Sequence, residues 1–404
     1  MKTGLDLGAA LAAALILAAP AGELAAQSEA GAEENIHRSG RHNFQVDTVV
    51  AGLEQPWSIA WLPDGDMLVT EKPGRLRIVR DGNLDPEPIA GTPEVRAQGQ
   101  GGLLEVLPHP DFAENRWLYL TYSKPNDDAS LATTALMRAR LEGQELVDAE
   151  ELFVAEAWQS GNAHFAGRLA WDGEGHLFMS VGDRGEDPDL LADQGAQDPS
   201  NHQGTILRFN DDGSVPDDNP FVGRSGYLPE IWSYGHRNPQ GLAIHPETGE
   251  LWTNEHGPRG GDEVNIARPE RNYGWPVVSY GVNYDGTIFT ETTARSGMES
   301  PLHVWVPSIA TSGMMIYDGE RFPWWRGSVF VGGLGGQVLV RMTFDGDRPV
   351  SEERLLEGEL GRIRDVRQGP DEFIYLAVDA RGGATTPVVR LVPVEDDVET
   401  PGSG

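Results

Sequence analysis

Apolar and polar positions along the chain fall into one recurring pattern: an apolar strand, a turn rich in Asp, Gly or Pro, then a second apolar strand. The first copy runs Trp57–Leu62, turns at Pro63, Asp64 and Gly65, and resumes over Asp66–Thr70. Further copies pair Gly102–Leu107 with Trp117–Tyr122, Gly167–Trp171 with His176–Val181, and Gly241–Ile244 with Glu250–Thr253. The last two pair Met314–Tyr317 with Gly327–Val331 and Ile363–Val366 with Phe373–Val378. With Asp64, Asp111, Gly173, Glu247, Gly319 and Pro370 as markers, successive turns lie 47 to 74 residues apart. That spacing suits four short strands per repeat with loops of variable length. It predicts an all-β fold, a β-propeller in preference to a sandwich. Six copies predict six blades; a repeat hidden in a longer interval would make seven. A propeller keeps its sheet edges short and gathers loops from every blade at the mouth of a central channel. Residues remote in sequence meet there.

The termini are read separately. Behind Lys2, the apolar run Leu11–Pro20 and the small-residue stretch Leu24–Ala26 have the form of a secretory signal. The run is too short and too Ala-rich to span a bilayer, and no later stretch approaches a membrane span. The expected organisation is a signal over 1–26, a flexible segment over 27–44, the propeller over 45–393 and a disordered tail over 394–404. The chain is expected to be exported, either periplasmic or secreted.

Composition narrows the chemistry. The chain has no cysteine, so disulfides and a C-x-x-C-H haem attachment are excluded. Redox work would need a bound organic cofactor or an external acceptor. A formal charge of −32 argues against nucleic acid and anionic membrane surfaces as partners and leaves divalent cations plausible.

Polar clusters precede four of the strand pairs at comparable places: Gln98–Gly102, Asn162–Phe165, His236–Asn238 and Gly361–Asp365. If the blades repeat, all four face one funnel. His164 is a candidate general base, since a neutral imidazole accepts a proton near neutral pH; a lone histidine is more often structural. Arg237, Arg362 and Arg364 are basic residues in a very acidic chain. The last two, alternate on a strand, suit a carboxylate-bearing ligand or a local ion pair such as Asp365. The Gly-rich loop Asn254–Asn265 carries Asp262 and Glu263 beside the carbonyls of Gly257 and Pro258. These are hard oxygen donors suited to Ca²⁺, although acidic loops are commonly just solvated. The aromatic clusters Asn272–Pro276 and Phe322–Trp325 read as blade packing before sugar platforms.

Taken in order, these stretches resemble the soluble glucose/sorbosone dehydrogenases that use pyrroloquinoline quinone (PQQ), above all the aldose dehydrogenase branch. The matching segments are Gly99–Leu104 with His109–Phe112, His164–Leu169 with Val181–Asp183, Gly235–Gly241, Glu255–Pro258 with Asp262 and Glu263, Asn272–Pro276, and Arg362–Asp365. The resemblance implies a six-bladed propeller that oxidises the anomeric carbon of sugars to lactones. It makes His164 the base, and puts Gln100 and Arg237 at the reactive quinone edge. Asn238, Arg362 and Arg364 become further cofactor contacts. The carbonyls of Gly257 and Pro258 would hold the Ca²⁺ on PQQ, and Asp262, Glu263 and the Tyr273 carbonyl a second Ca²⁺. Electrons would pass to an external acceptor, a quinone or a separate cytochrome.

Three features depart from the family pattern. Gly335, in Val331–Gly335, stands where the family has a cofactor-binding lysine; either binding is weaker or another basic residue substitutes. Ala163 replaces an acidic neighbour of the base, and the aromatic run before Pro307 is shifted. Two alternatives follow. One is a carbohydrate- or protein-binding propeller that has lost PQQ, which Gly335 favours. The other is a Ca²⁺-dependent propeller lactonase, which the reliance of the metal loop on backbone carbonyls disfavours.

Overall fold

The computed structural model describes residues 36–185 and 195–394. The expected signal 1–26 and the tail from 395 onward lie outside the described residues. Within the segment 27–44, His37 and Phe44 exchange backbone hydrogen bonds, at 2.8 and 3.0 Å.

Among the described residues, twenty-four strands form six four-stranded antiparallel sheets. Each sheet begins with one of the strand pairs legible in the sequence. The innermost strands are Pro56–Trp61, Leu103–Pro108, Ala166–Trp171, Pro239–Ile244, Thr311–Ile316 and Arg362–Gln368, which define blades 1 to 6. Each contacts the innermost strand of the next blade, and the sixth returns to the first, so the sheets close into a ring. This is a six-bladed β-propeller. The ring is fastened by the chain ends. Asn43–Glu54 pairs antiparallel with Thr385–Val394 and becomes the outer strand of blade 6, from Asn43↔Val394 to Glu54↔Thr385, with register shifts on either side of Val50.

Apolar side chains pack in the seams. Leu68 and Ile78 of blade 1 meet Val106 and Leu120 of blade 2, and Val50 and Val388 of blade 6 meet Ile59 and Val69 of blade 1. The other four seams carry clusters of the same kind. A blade cannot bury both its faces alone, so this interleaving makes the six repeats one cooperative body.

The centre of the ring is polar. Arg168 of blade 3 makes ion pairs with Glu105 of blade 2 (3.1 Å) and Asp365 of blade 6 (2.9 Å). Arg367 bridges the same two carboxylates at 2.7 and 2.9 Å. Ser58 of blade 1 donates its hydroxyl to Glu105. Two positive and two negative charges thus neutralise one another, with Arg168, Glu105 and Asp365 fully buried. Removing one member leaves a buried charge uncompensated, which costs about 3–5 kcal/mol. Glu105→Gln should therefore lower the unfolding free energy from urea melts by about that amount. Arg348→Ala, which breaks an exposed pair with Asp345, should cost no more than about 1 kcal/mol. Equal costs in urea melts would contradict the assignment of the cluster as the central tie.

Candidate functional site

Loops from several blades converge on a cavity of about 660 Å³ at the channel mouth. Gln100, Gly257, Pro258, Arg362 and Arg364 line it directly, with Gln240, His256 and Arg381. Its floor includes Trp57, whose ring lies 4.0 Å from the Arg168 guanidinium of the central cluster. Arg168 also donates to the carbonyls of Gln240 (2.7 Å) and Arg364 (3.1 Å). Tyr284 and Val306 stand exposed at the rim.

His164 sits just behind this wall. Its backbone N–H donates to Gln100 Oε1 at 2.9 Å, which ties the blade 2 and blade 3 clusters together. Its Nδ1 faces Asp183 Oδ1 at 2.6 Å. Asp183 is fully buried and receives the Gly185 N–H (2.8 Å) and the Trp275 indole N–H (2.7 Å). With Nδ1–H directed at the carboxylate, Nε2 is the lone-pair nitrogen of the ring. Burial, then the charge of Arg237, holds His164 below the usual imidazole value, against the pull of Asp183. The His164 backbone has a left-handed φ of 50°, a conformation only sparsely adopted by residues with a side chain. It is pinned there by Gln100 and by a hydrogen bond from Thr134 to the Phe165 carbonyl at 2.7 Å.

Arg237 does not line the main cavity but a small adjoining one. Its Nη1 donates to the carbonyls of Gly257 (2.8 Å) and His256 (3.1 Å), and its backbone N–H donates to Glu255 Oε2 at 2.6 Å. Its guanidinium lies 5.0 Å from the Trp275 ring. His236 supports the loop: it is fully buried, stacks on Tyr273, and bonds Glu255 and Ser233. Asn238 lies behind Gln240, whose amide donates to it at 3.3 Å.

Arg362 and Arg364 share one carboxylate, Asp379, at 3.2 and 3.6 Å. Asp365, the local partner envisaged from the sequence, belongs to the central cluster instead. Arg381 makes no ion pair among the described residues. Lys72 approaches from blade 1 and donates to the Gly99 carbonyl at 2.7 Å; burial, then Arg364, pulls it down to about 8. Gly335 lines the cavity without contributing charge. Buried atoms on this side without a partner among the described residues include Arg237 Nε, Asn238 Nδ2, His256 Nε2 and Arg364 Nε.

Asp262 accepts from Ser308, from the Gly257 N–H (2.9 Å) and from the Ala310 N–H (2.6 Å). Glu263 and Tyr273 border the small cavity with Glu255. Burial, then Glu255, pushes Glu263 well above the usual carboxylate range, and its one side-chain donor is Asn265 at 3.1 Å.

Sequence reasoning passed over Asp183, Glu255 and Asp379. A signal was available: a carboxylate closes the second strand in three blades, at Glu71, Glu255 and Asp379, and follows it by two residues in blade 3, at Asp183. Glu71 pairs with Arg75 and Arg77 of the next strand, Asp183 with His164, Glu255 with His236, and Asp379 with Arg362 and Arg364 of the neighbouring strand. Trp275, read as packing, instead joins Asp183 and Arg237.

The fold and site define a propeller with a buried histidine–aspartate pair beside an arginine-rich cavity. The chain belongs to the glucose/sorbosone dehydrogenase family, whose model matches residues 53–390, and is thus an oxidoreductase acting on sugars. It is 42% identical to the aldose sugar dehydrogenase YliI of Escherichia coli K12, over 84% of this chain and 91% of the relative. Among solved structures, it is similar to the soluble aldose sugar dehydrogenase of Escherichia coli in its apo form. There the TM-score is 0.81 at 40% identity, covering 87% of this chain and 100% of that one. The PQQ-bound aldose sugar dehydrogenase of Streptomyces coelicolor gives a TM-score of 0.69 at 28% identity, covering 87% and 98%.

One glycine is required by this geometry. A Cβ on Gly182 would lie 2.2 Å from the His164 carbonyl oxygen and 3.1 Å from Asn238 Oδ1. Gly182→Ala should cost about 1–3 kcal/mol as the His164 backbone is forced aside. Gly173→Ala, where a Cβ meets nothing within 4 Å, should be nearly neutral. Thermal melts of the two variants make the comparison, and a neutral Gly182→Ala would refute the packing.

Proposed function

We propose that the protein is an exported, PQQ- and Ca²⁺-dependent aldose dehydrogenase that oxidises the anomeric carbon of sugars to lactones. The observation that carries this reading is the charge of the cavity. In a chain of net charge −32, four arginines line it, of which Arg362 and Arg364 share the one carboxylate of Asp379, with Lys72 close by. The unpartnered atoms include guanidinium and amide donors, which call for a ligand rich in acceptor oxygens. A planar quinone bearing several carboxylates fits that donor set. Arg362, Arg364 and Gln100 would hold it, with Asn238 behind Gln240 in support, and Arg381 and Lys72 would supply the charge that Gly335 lacks. The PQQ-bound relative from Streptomyces coelicolor supports the assignment.

When bound, PQQ supplies the acceptor for the hydride that leaves the anomeric carbon. The chain's own groups do the rest. His164, kept neutral by burial and held by Asp183, takes the proton of the anomeric hydroxyl at Nε2. Arg237 offers positive charge where negative charge develops on the acceptor. The carbonyls of Gly257 and Pro258 would hold Ca²⁺ against the cofactor. A second Ca²⁺ at Asp262, Glu263 and the Tyr273 carbonyl would relieve the repulsion between buried Glu263 and Glu255. Electrons leave to an external quinone or cytochrome. Export rests on the apolar run Leu11–Pro20.

Dye reduction with a panel of aldoses tests the reading: turnover should require both PQQ and Ca²⁺. His164→Ala should lose about 10²–10⁴ in kcat while calorimetry still shows PQQ binding. Since the base works when neutral, the rising limb of kcat/KM against pH should lie below the ordinary imidazole value. Retained turnover in His164→Ala would remove it from the mechanism. Absence of saturable PQQ binding by the unaltered protein would leave the non-catalytic propeller as the better reading.

A further inference from the structure

Trp275 touches both halves of the site with one side chain. Its indole N–H donates to Asp183 Oδ2 at 2.7 Å, while Asp183 Oδ1 faces His164. Its ring carries the Arg237 guanidinium at 5.0 Å. The residue is itself anchored at both backbone ends, by its N–H to the Gly235 carbonyl (2.8 Å) and by Gln197 donating to its carbonyl (2.7 Å). Only 6% of it is exposed. Packing alone would need an apolar surface here. Phe289 supplies one such contact, its ring centroid 5.4 Å away, but the indole has also found a buried carboxylate on its edge and a cation by its face, the two polarities an indole is built to meet.

We infer that Trp275 is a positioning residue, fixing the carboxylate that orients His164 and the guanidinium of Arg237 in one geometry. This rests on the reading of His164 as the base. The carboxylate has two oxygens and three donors. The backbone N–H of Gly185 shares Oδ1 with His164, so the indole is the one side-chain group holding Oδ2. Without it Asp183 can rotate about its own side chain, and its negative charge is less dispersed. A more basic Asp183 stabilises the protonated imidazole, so the His164 titration moves upward. The groups that face His164 are Asp183 and Arg184 from blade 3 and Arg237 and His256 from blade 4; Trp275→Phe leaves all four side chains in place and takes away only the hydrogen bond to Asp183. The phenyl ring keeps an aromatic face for Arg237 and removes only the donor.

The test uses the full chain. In the cofactor-free protein, the His164 ring followed by NMR should titrate about half a unit or more higher in Trp275→Phe than in the unaltered protein. With PQQ and Ca²⁺ present, kcat should fall roughly 10- to 100-fold, with its rising pH limb displaced upward and PQQ affinity held within about threefold. In an Asp183→Asn background the same change should cost less than about twofold, because the two act through one contact. An unmoved His164 titration, or an equal loss of kcat in both backgrounds, would overturn the inference and leave Trp275 as packing. If Trp275→Phe does not fold, the unaltered indole answers: its N–H resonance should move upfield in Asp183→Asn, and a fixed resonance would contradict the contact. Retained turnover in His164→Ala would instead remove the base reading, whatever the titration in Trp275→Phe shows.

Discussion

The structure turns on the ionic cluster at the centre of the ring. Arg168, Arg367, Glu105 and Asp365 come from three blades, and Ser58 joins them from a fourth. Buried charges are tolerated only when paired and hydrogen-bonded, so the blades that supply these groups must keep one relative position. Arg168 carries that constraint upward. It lies against Trp57 in the cavity floor and fixes the backbone of Gln240 and Arg364 in its wall. The cluster that closes the ring is therefore also the platform on which the site is assembled.

Above that platform the sign of the charge changes. Over the whole chain acidic residues outnumber basic ones by two to one, yet at the cavity guanidinium groups outnumber the carboxylate they share. Arg364 is buried strongly enough to be pulled down to about 10, and several donors close by have no partner among the described residues. Such an arrangement is costly to the protein alone. A ligand with several acidic oxygens offsets that cost, which makes the cavity selective for it. The neighbouring carboxylates Glu255 and Glu263 have the opposite need, a cation.

The fold was legible because propeller physics writes itself into the sequence. Each blade opens with two apolar strands around a tight turn, and all six such pairs reappear as the two innermost strands of a sheet. The outer strands are less apolar and some, such as Asn83–Leu84, are very short, so they left little pattern. The site was half legible. Gln100, His164, Arg237, Asn238, Arg362 and Arg364 were visible as polar interruptions ahead of strands. Arg237 and Asn238 proved to stand behind the cavity wall and not in it. The acids that orient these groups were hidden, because Glu255 and Asp379 end strands that read as continuous core and Asp183 follows one by two residues. Trp275 was hidden for a related reason: one aromatic residue in a sequence looks the same whether its edge meets a methyl group or a carboxylate. Long-range tertiary contact decides such cases, and spacing along one chain does not record it.

The central claim is that the arginine-lined cavity holds a polycarboxylate quinone within reach of His164. The most direct measurement is a crystal structure of the full protein equilibrated with PQQ and Ca²⁺. The account predicts planar density in the 660 Å³ cavity, its carboxylates meeting Arg362 and Arg364 and its metal on the carbonyls of Gly257 and Pro258. An empty cavity at saturating cofactor, or density bound elsewhere on the ring, would contradict it.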